Sequence, residues 1–158
     1  MSKALVTYFS ATGTTARVAK KLAEAMGADL FEIEPKEHYT SADLNWNDAA
    51  SRTSKEKYNP SMRPAIAKPF PSMSEYDTIF VGFPIWWYVA PSIVNTFLES
   101  YDFSGKTIVP FATSGGSSMG RTNDILAPSC PGAKLKQGRR FPAGTSASEL
   151  KAWTEAFL

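Results

Sequence analysis

The chain is short of several residue types, and each shortage closes a class of function. It has one cysteine, Cys130. A single thiol cannot build an intramolecular disulfide framework, a cysteine-rich zinc site or a cysteine-ligated iron–sulfur cluster. A buried, inert thiol is expected instead, and no metal site is expected. There is one histidine, His38, in the polar stretch Glu34 to Tyr39. A Ser-His-Asp triad would have to use it, and nothing around it resembles a nucleophile elbow. Long apolar runs are missing: the longest mostly apolar stretch, Ile79 to Ala90, is broken by Pro84, whereas a membrane-spanning helix needs about 20 apolar residues. The run that begins at Lys3 is too short and too polar for a signal peptide. A cytoplasmic protein without membrane contact is therefore expected. Charge of one sign is missing as well. Seventeen basic residues against 15 acidic leave a net charge of +2, which makes no electrostatic case for nucleic acid. Lys134, Lys136, Arg139 and Arg140 cluster and read as a solvated sheet edge.

What is present fits one globular domain over residues 1–158, with 43% hydrophobic and 13% aromatic residues. Strand and helix signals alternate along it. Ala4 to Phe9 reads as a strand. Thr15 to Met26 reads as a helix, with Val18, Leu22 and Met26 beside Ala19 and Ala23 in one stripe and Gly27 as its stop. Asp29 to Ile33 is a short strand. Glu34 to Glu75 is a polar excursion with one helix expected at Ala49 to Lys57. Thr78 to Phe83 is a continuous apolar run, as a buried parallel strand requires. Pro91 to Tyr101 is a helix opened by proline. Thr107 to Ala112 is a fourth strand, with Asn123 to Ala127 a short helix after it. Lys134 to Arg140 is a fifth, polar strand, and Ser146 to Leu158 a closing helix with Ser146 and Glu149 spaced as a capping box. Five strands alternating with helices predict an α/β three-layer sandwich around a parallel sheet. Proline cannot donate to a sheet ladder, so Pro110 predicts a bulge or an unpaired position in strand four.

Three segments leave strands at the carboxyl edge of such a sheet, where open α/β folds bind ligands. The first is Ser10-Ala11-Thr12-Gly13-Thr14-Thr15, in which four of six residues carry a hydroxyl and none is charged. A hydroxyl-rich turn between a strand and a helix offers free N–H groups, a favourable dipole and extra donors to a phosphate. The segment is neither G-x-x-x-x-G-K-[ST] nor G-x-G-x-x-G, and the nearest cation, Arg17, lies past the turn. A phosphate held there is an anchor rather than a group in transfer. The second segment, Pro84-Ile85-Trp86-Trp87-Tyr88-Val89-Ala90-Pro91, sets three large aromatics in a connection. Adjacent side chains point apart, so one tryptophan packs inward while aromatic surface remains for a flat ligand. The third, Thr113-Ser114-Gly115-Gly116-Ser117-Ser118-Met119-Gly120, has small residues whose backbone amides can meet the carbonyls and ring nitrogens of a ligand edge.

With its Ser10-x-Thr12-Gly13-x-Thr15 turn, its Pro84 to Pro91 loop and its Thr113 to Gly120 loop in this order, the chain resembles the flavodoxin family over nearly its whole length. The resemblance implies a sheet ordered 2-1-3-4-5, bound FMN and electron transfer through the flavin. It implies that Ser10, Thr12, Thr14 and Thr15, with the backbone around Ala11 and Gly13, hold the phosphate. Trp86 or Trp87 and Tyr88 would flank the isoalloxazine ring, Gly115, Gly116 and Ser117 would meet its pyrimidine edge, and Pro84, Ile85, Thr113 and Ser114 would complete the cofactor-binding set. Redox proteins, a reductase and an acceptor, are the implied partners, with the chain a monomer or weak dimer. No general acid or base is required. The alternative on the same fold is an NAD(P)H-dependent quinone or FMN reductase. Two departures bear on the chemistry. Flavodoxins are typically acidic, whereas this chain has a pI near 8.6, which predicts a less extreme low potential for the second electron. Tyr88 stands where related chains often have glycine, which makes a peptide flip beneath the flavin costlier.

Overall fold

The structure, a computed structural model, describes residues 3–45, 47–59, 61–86, 89–114 and 119–157. The elements follow in the order β1 (Ala4–Tyr8), α1 (Thr14–Met26), β2 (Asp29–Glu32), α2 (Arg52–Tyr58), β3 (Thr78–Pro84), α3 (Ser92–Glu99), β4 (Thr107–Thr113), α4 (Thr122–Leu126), β5 (Lys134–Leu135), β6 (Arg139–Phe141) and α5 (Ala147–Thr154). The strands form one sheet in the order β2-β1-β3-β4-β5, with β6 also beside β4. Every pairing is parallel. This is the expected α/β sandwich and strand order.

Alternation along each strand builds the two layers of core. Leu5, Ile79, Val81 and Ile108 face the layer made by Ile93, Val94, Phe97 and Leu98 of α3 and Leu126 of α4. Val6, Phe80, Val109 and Phe111 face Val18, Ala19 and Leu22 of α1 and Leu150 of α5. β3 is central and buried on both faces from Thr78 to Phe83, so its apolar run needs no alternation. α1 closes at Gly27, whose φ of 65° is the left-handed conformation glycine adopts without strain.

Three expectations change in detail. The helix of the excursion starts at Arg52 rather than Ala49, because Ser51 caps it by accepting from the Ser54 N–H at 3.4 Å. Half of the capping box at α5 forms: Ser146 Oγ accepts from the Glu149 N–H at 3.2 Å, while the Glu149 carboxylate turns to Arg139, 3.6 Å away. The fifth strand is two strands. Ile108 pairs with Leu135 and Phe111 with Arg139, so the outer chain carries one residue more than β4 between these points, which is a bulge. Its cause is Pro110, which keeps register with Val81 of β3. Ile108 and Ala112 on either side of it pair outward, and the missing N–H of Pro110 faces that same way. The bulge sits where Pro110 leaves the outer ladder without a donor.

Candidate functional site

β3 and β4 end level, with Pro84 beside Thr113, and β1 ends two residues earlier at the same edge, with Tyr8 beside Gly82. The three loops singled out in the sequence therefore start from one edge. In the first, the Gly13 N–H donates to Ser10 Oγ at 3.0 Å, which closes the turn before α1. Gly13 has a φ of 95°, and a Cβ there would meet nothing within 4 Å. Backbone conformation, not crowding, asks for glycine at this position. Gly13 caps α1 without any side-chain hydrogen bond, and the first turn has no acidic residue. Ser10 Oγ accepts in the turn and the Thr15 hydroxyl bonds Thr113, while the Thr12 and Thr14 hydroxyls take no part in capping. The leading N–H groups of a 13-residue helix open at the sheet edge with their dipole unopposed. Thr12 is exposed, and Ser10, Ala11 and Thr14 are half-buried. Thr15 is buried, and its hydroxyl lies 2.7 Å from that of Thr113. It joins the first loop to the third.

The second loop is tied to the third by the Ile85 N–H, which donates to the Thr113 carbonyl at 3.1 Å. Trp86 and Val89 exchange two backbone hydrogen bonds of 3.0 and 3.2 Å. The Trp86 ring packs edge-on against Phe9 and Tyr39, with centroids 5.7 and 5.3 Å apart. The Trp86 side chain thus packs inward on the body of the protein. Trp87, Tyr88, Gly115, Gly116 and Ser117 lie outside the described residues.

Two features escaped the sequence reading. The first is Arg140, taken there as part of a solvated edge. Its guanidinium grips the start of the third loop, donating from Nε to Ser114 Oγ at 2.8 Å and from Nη2 to the Ser114 carbonyl at 3.0 Å. No motif marks an arginine that reaches its loop only after a bulge. The second is a polar cluster behind Trp86. Tyr39 donates to the buried Glu56 carboxylate at 2.7 Å, and Arg52 donates to it from Nε at 3.1 Å, its guanidinium carbon 3.8 Å from the centre of the Tyr39 ring. Burial pushes the Glu56 carboxyl above its usual range, against the pull of these two donors. Burial, helped by the Glu56 hydrogen bond, pushes the Tyr39 phenol well above its own. A cavity of about 280 Å³ adjoins the cluster, lined by Thr53 and Glu56 of α2, by Trp86, Val89 and Pro91 of the second loop, and by Asn95 of α3.

The flavodoxin family model matches residues 3–157. The chain belongs to the flavodoxin family. No curated protein matches it. Among solved structures, a protein of Bacteroides eggerthii provisionally named a flavoprotein is 50% identical, with 99% of this chain and 98% of that one covered and a TM-score of 0.93. A Bacteroides uniformis protein named in the same way is 51% identical over 98% of each chain, with a TM-score of 0.91. A flavoprotein of Lactobacillus acidophilus, solved in complex with FMN, shares the family fold at 20% identity and a TM-score of 0.74, with 98% of this chain and 99% of that one covered. Among the described residues no helix is long and apolar enough to cross a membrane. No group of three or more His, Cys, Asp and Glu side chains there could hold a metal ion.

Proposed function

We propose that this flavodoxin-family chain binds FMN non-covalently at the carboxyl edge of its sheet and serves as an electron carrier. The observation that carries the reading is the start of α1, where an uncharged, hydroxyl-rich turn leads into a helix with no side-chain cap. Those N–H groups and hydroxyls match a phosphate monoester in charge and hydrogen-bonding sense. Ser10, Thr12 and Thr14 would donate hydroxyls to it, and the backbone of Gly13 to Thr15 its N–H groups. FMN supplies the redox chemistry when bound. The chain's own work is to hold and orient it. The Thr15–Thr113 and Ile85–Thr113 bonds keep the three loops at fixed separation. Trp87 or Tyr88 would cover the ring, and the amides of residues 114–117 would meet its edge. The Lactobacillus complex supports FMN as the cofactor through the shared fold.

The 280 Å³ cavity favours a second reading. Its apolar wall and polar back are of a size for one small ring next to the second loop, as a reductase using NAD(P)H would need. One set of experiments separates the two. Apo-protein titrated with FMN is expected to quench flavin fluorescence at a 1:1 ratio and to bind riboflavin far more weakly, because the phosphate anchor is then lost. Equal binding of both flavins would refute the phosphate site. Holoprotein that does not oxidise NADPH by itself, yet is reduced when a flavodoxin reductase is added, is a carrier. Turnover of NADPH without a reductase makes it an enzyme.

A further inference from the structure

Arg140 belongs to β6, where it pairs in register with Ala112 of β4. Its side chain is half-buried. Two of its five N–H donors are engaged with Ser114, one on the hydroxyl and one on the carbonyl. Among the described residues no carboxylate pairs with it, whereas the neighbouring Arg139 has Glu149. Its charge is permanent at any working pH. A fork held at two points fixes both the residue it grips and the position of its own charge. The first loop brings no charge to compensate it, since Ser10 to Thr15 are all neutral.

We propose that Arg140 is a positioning residue for Ser114, at the start of the third loop, and that its charge, which no carboxylate of the described residues compensates, favours the reduced over the oxidised flavin. The proposal rests on the FMN reading above. Oxidised FMN takes up two electrons, supplied by a redox protein or by dithionite in the test, and one proton from the medium. Its ring then carries one more negative charge than before. A fixed cation at Ser114, where the FMN reading puts the edge of the ring, would bind that form more tightly, and tighter binding of the reduced form raises the midpoint potential. The same charge would work against the very low potential that an acidic setting imposes.

The test uses full-length holoprotein, with Arg140→Gln removing the charge and Arg140→Lys keeping it but losing the fork. Each variant is checked for folding by circular dichroism, titrated with FMN, and reduced anaerobically at mildly alkaline pH beside a reference dye. Both variants are expected to bind oxidised FMN about fivefold more weakly, because Ser114 is no longer gripped at two points. Only Arg140→Gln is expected to lose a further factor of about ten in preference for the reduced form. That factor lowers the two-electron midpoint by about 30 mV. A wild-type midpoint in FMN-bound Arg140→Gln would overturn the electrostatic role, as would an equal fall in Arg140→Lys. Wild-type FMN affinity in both variants would overturn the positioning role. Failure of the wild-type apo-protein to take up FMN at all would instead refute the cofactor reading, and this proposal with it.

Discussion

One buried hydroxyl pair, Thr15 with Thr113, spans 98 positions of sequence and locks the first loop to the third. Neither threonine can reach water, as both are at most 3% exposed. Removing one hydroxyl leaves the other desolvated and unpaired, while removing both leaves two matched apolar surfaces. Thr15→Val and Thr113→Val are each expected to cost about 1–3 kcal/mol in urea unfolding of the apo-protein. The double variant should cost less than the two singles summed. A coupling energy of about 1 kcal/mol checks the pair, and strict additivity would show that it does not stabilise the fold. At this scale the sequence was only partly legible. It marked Thr15 as a hydroxyl at a helix start and Thr113 as the opening of the loop after a strand, but it could not show that they meet. Arg140 was missed because its role depends on a neighbour 26 residues earlier.

Among elements, the junction of β5 and β6 depends on a single small residue. A Cβ added at Gly138 would lie 2.9 Å from the Pro110 carbonyl oxygen and 3.1 Å from its Cβ, and would run into the end of Met119. Backbone on one side cannot give way as a flexible side chain can. Gly138→Ala is expected to destabilise by about 1–3 kcal/mol and to loosen β6, and with it the grip of Arg140 on Ser114. Thermal melting together with amide exchange at Phe111 to Thr113 measures both effects. Strands and helices were largely readable from periodicity, because β3 is apolar throughout and α1 carries a clear stripe ended by glycine. The break at 136–138 was not readable as two strands. Proline at 110 announced that a ladder would fail, but which neighbour it would fail against depends on the direction of one missing N–H. The start of α2 was missed because Asp48, just before Ala49, suits a helix N-cap as well as Ser51 does.

For the whole molecule, the excursion between β2 and β3 is held to the body by Glu99. Arg63 donates from Nε and Nη2 to its two oxygens at 2.9 and 3.0 Å, and Ser129 donates to it at 2.7 Å. These donors, Arg63 first, hold the Glu99 carboxyl below its usual value of 4.5. A carboxyl lowered on folding contributes stability that is complete above that value and fades as pH drops through the folded one. The melting temperature of the wild type should therefore fall more steeply below pH 4.5 than that of Glu99→Gln. Above it the variant should be less stable by only about 0.5 kcal/mol, since the pair is open to solvent. Parallel melting curves for the two proteins across the acid range would sink the assignment. The long polar stretch gave no sign of this tether in sequence, because an ion pair 36 residues apart leaves no periodic trace.

The bulge opposite Pro110 has a consequence for how copies of the chain meet. The outer border of the sheet on that side is offered in pieces of two and three residues, β5 and β6. A foreign strand docking there would find its hydrogen-bonding register shifted by one residue midway, amid the exposed Lys134, Lys136 and Arg139. The donor missing from Pro110 thus guards the protein against strand-by-strand growth into aggregates.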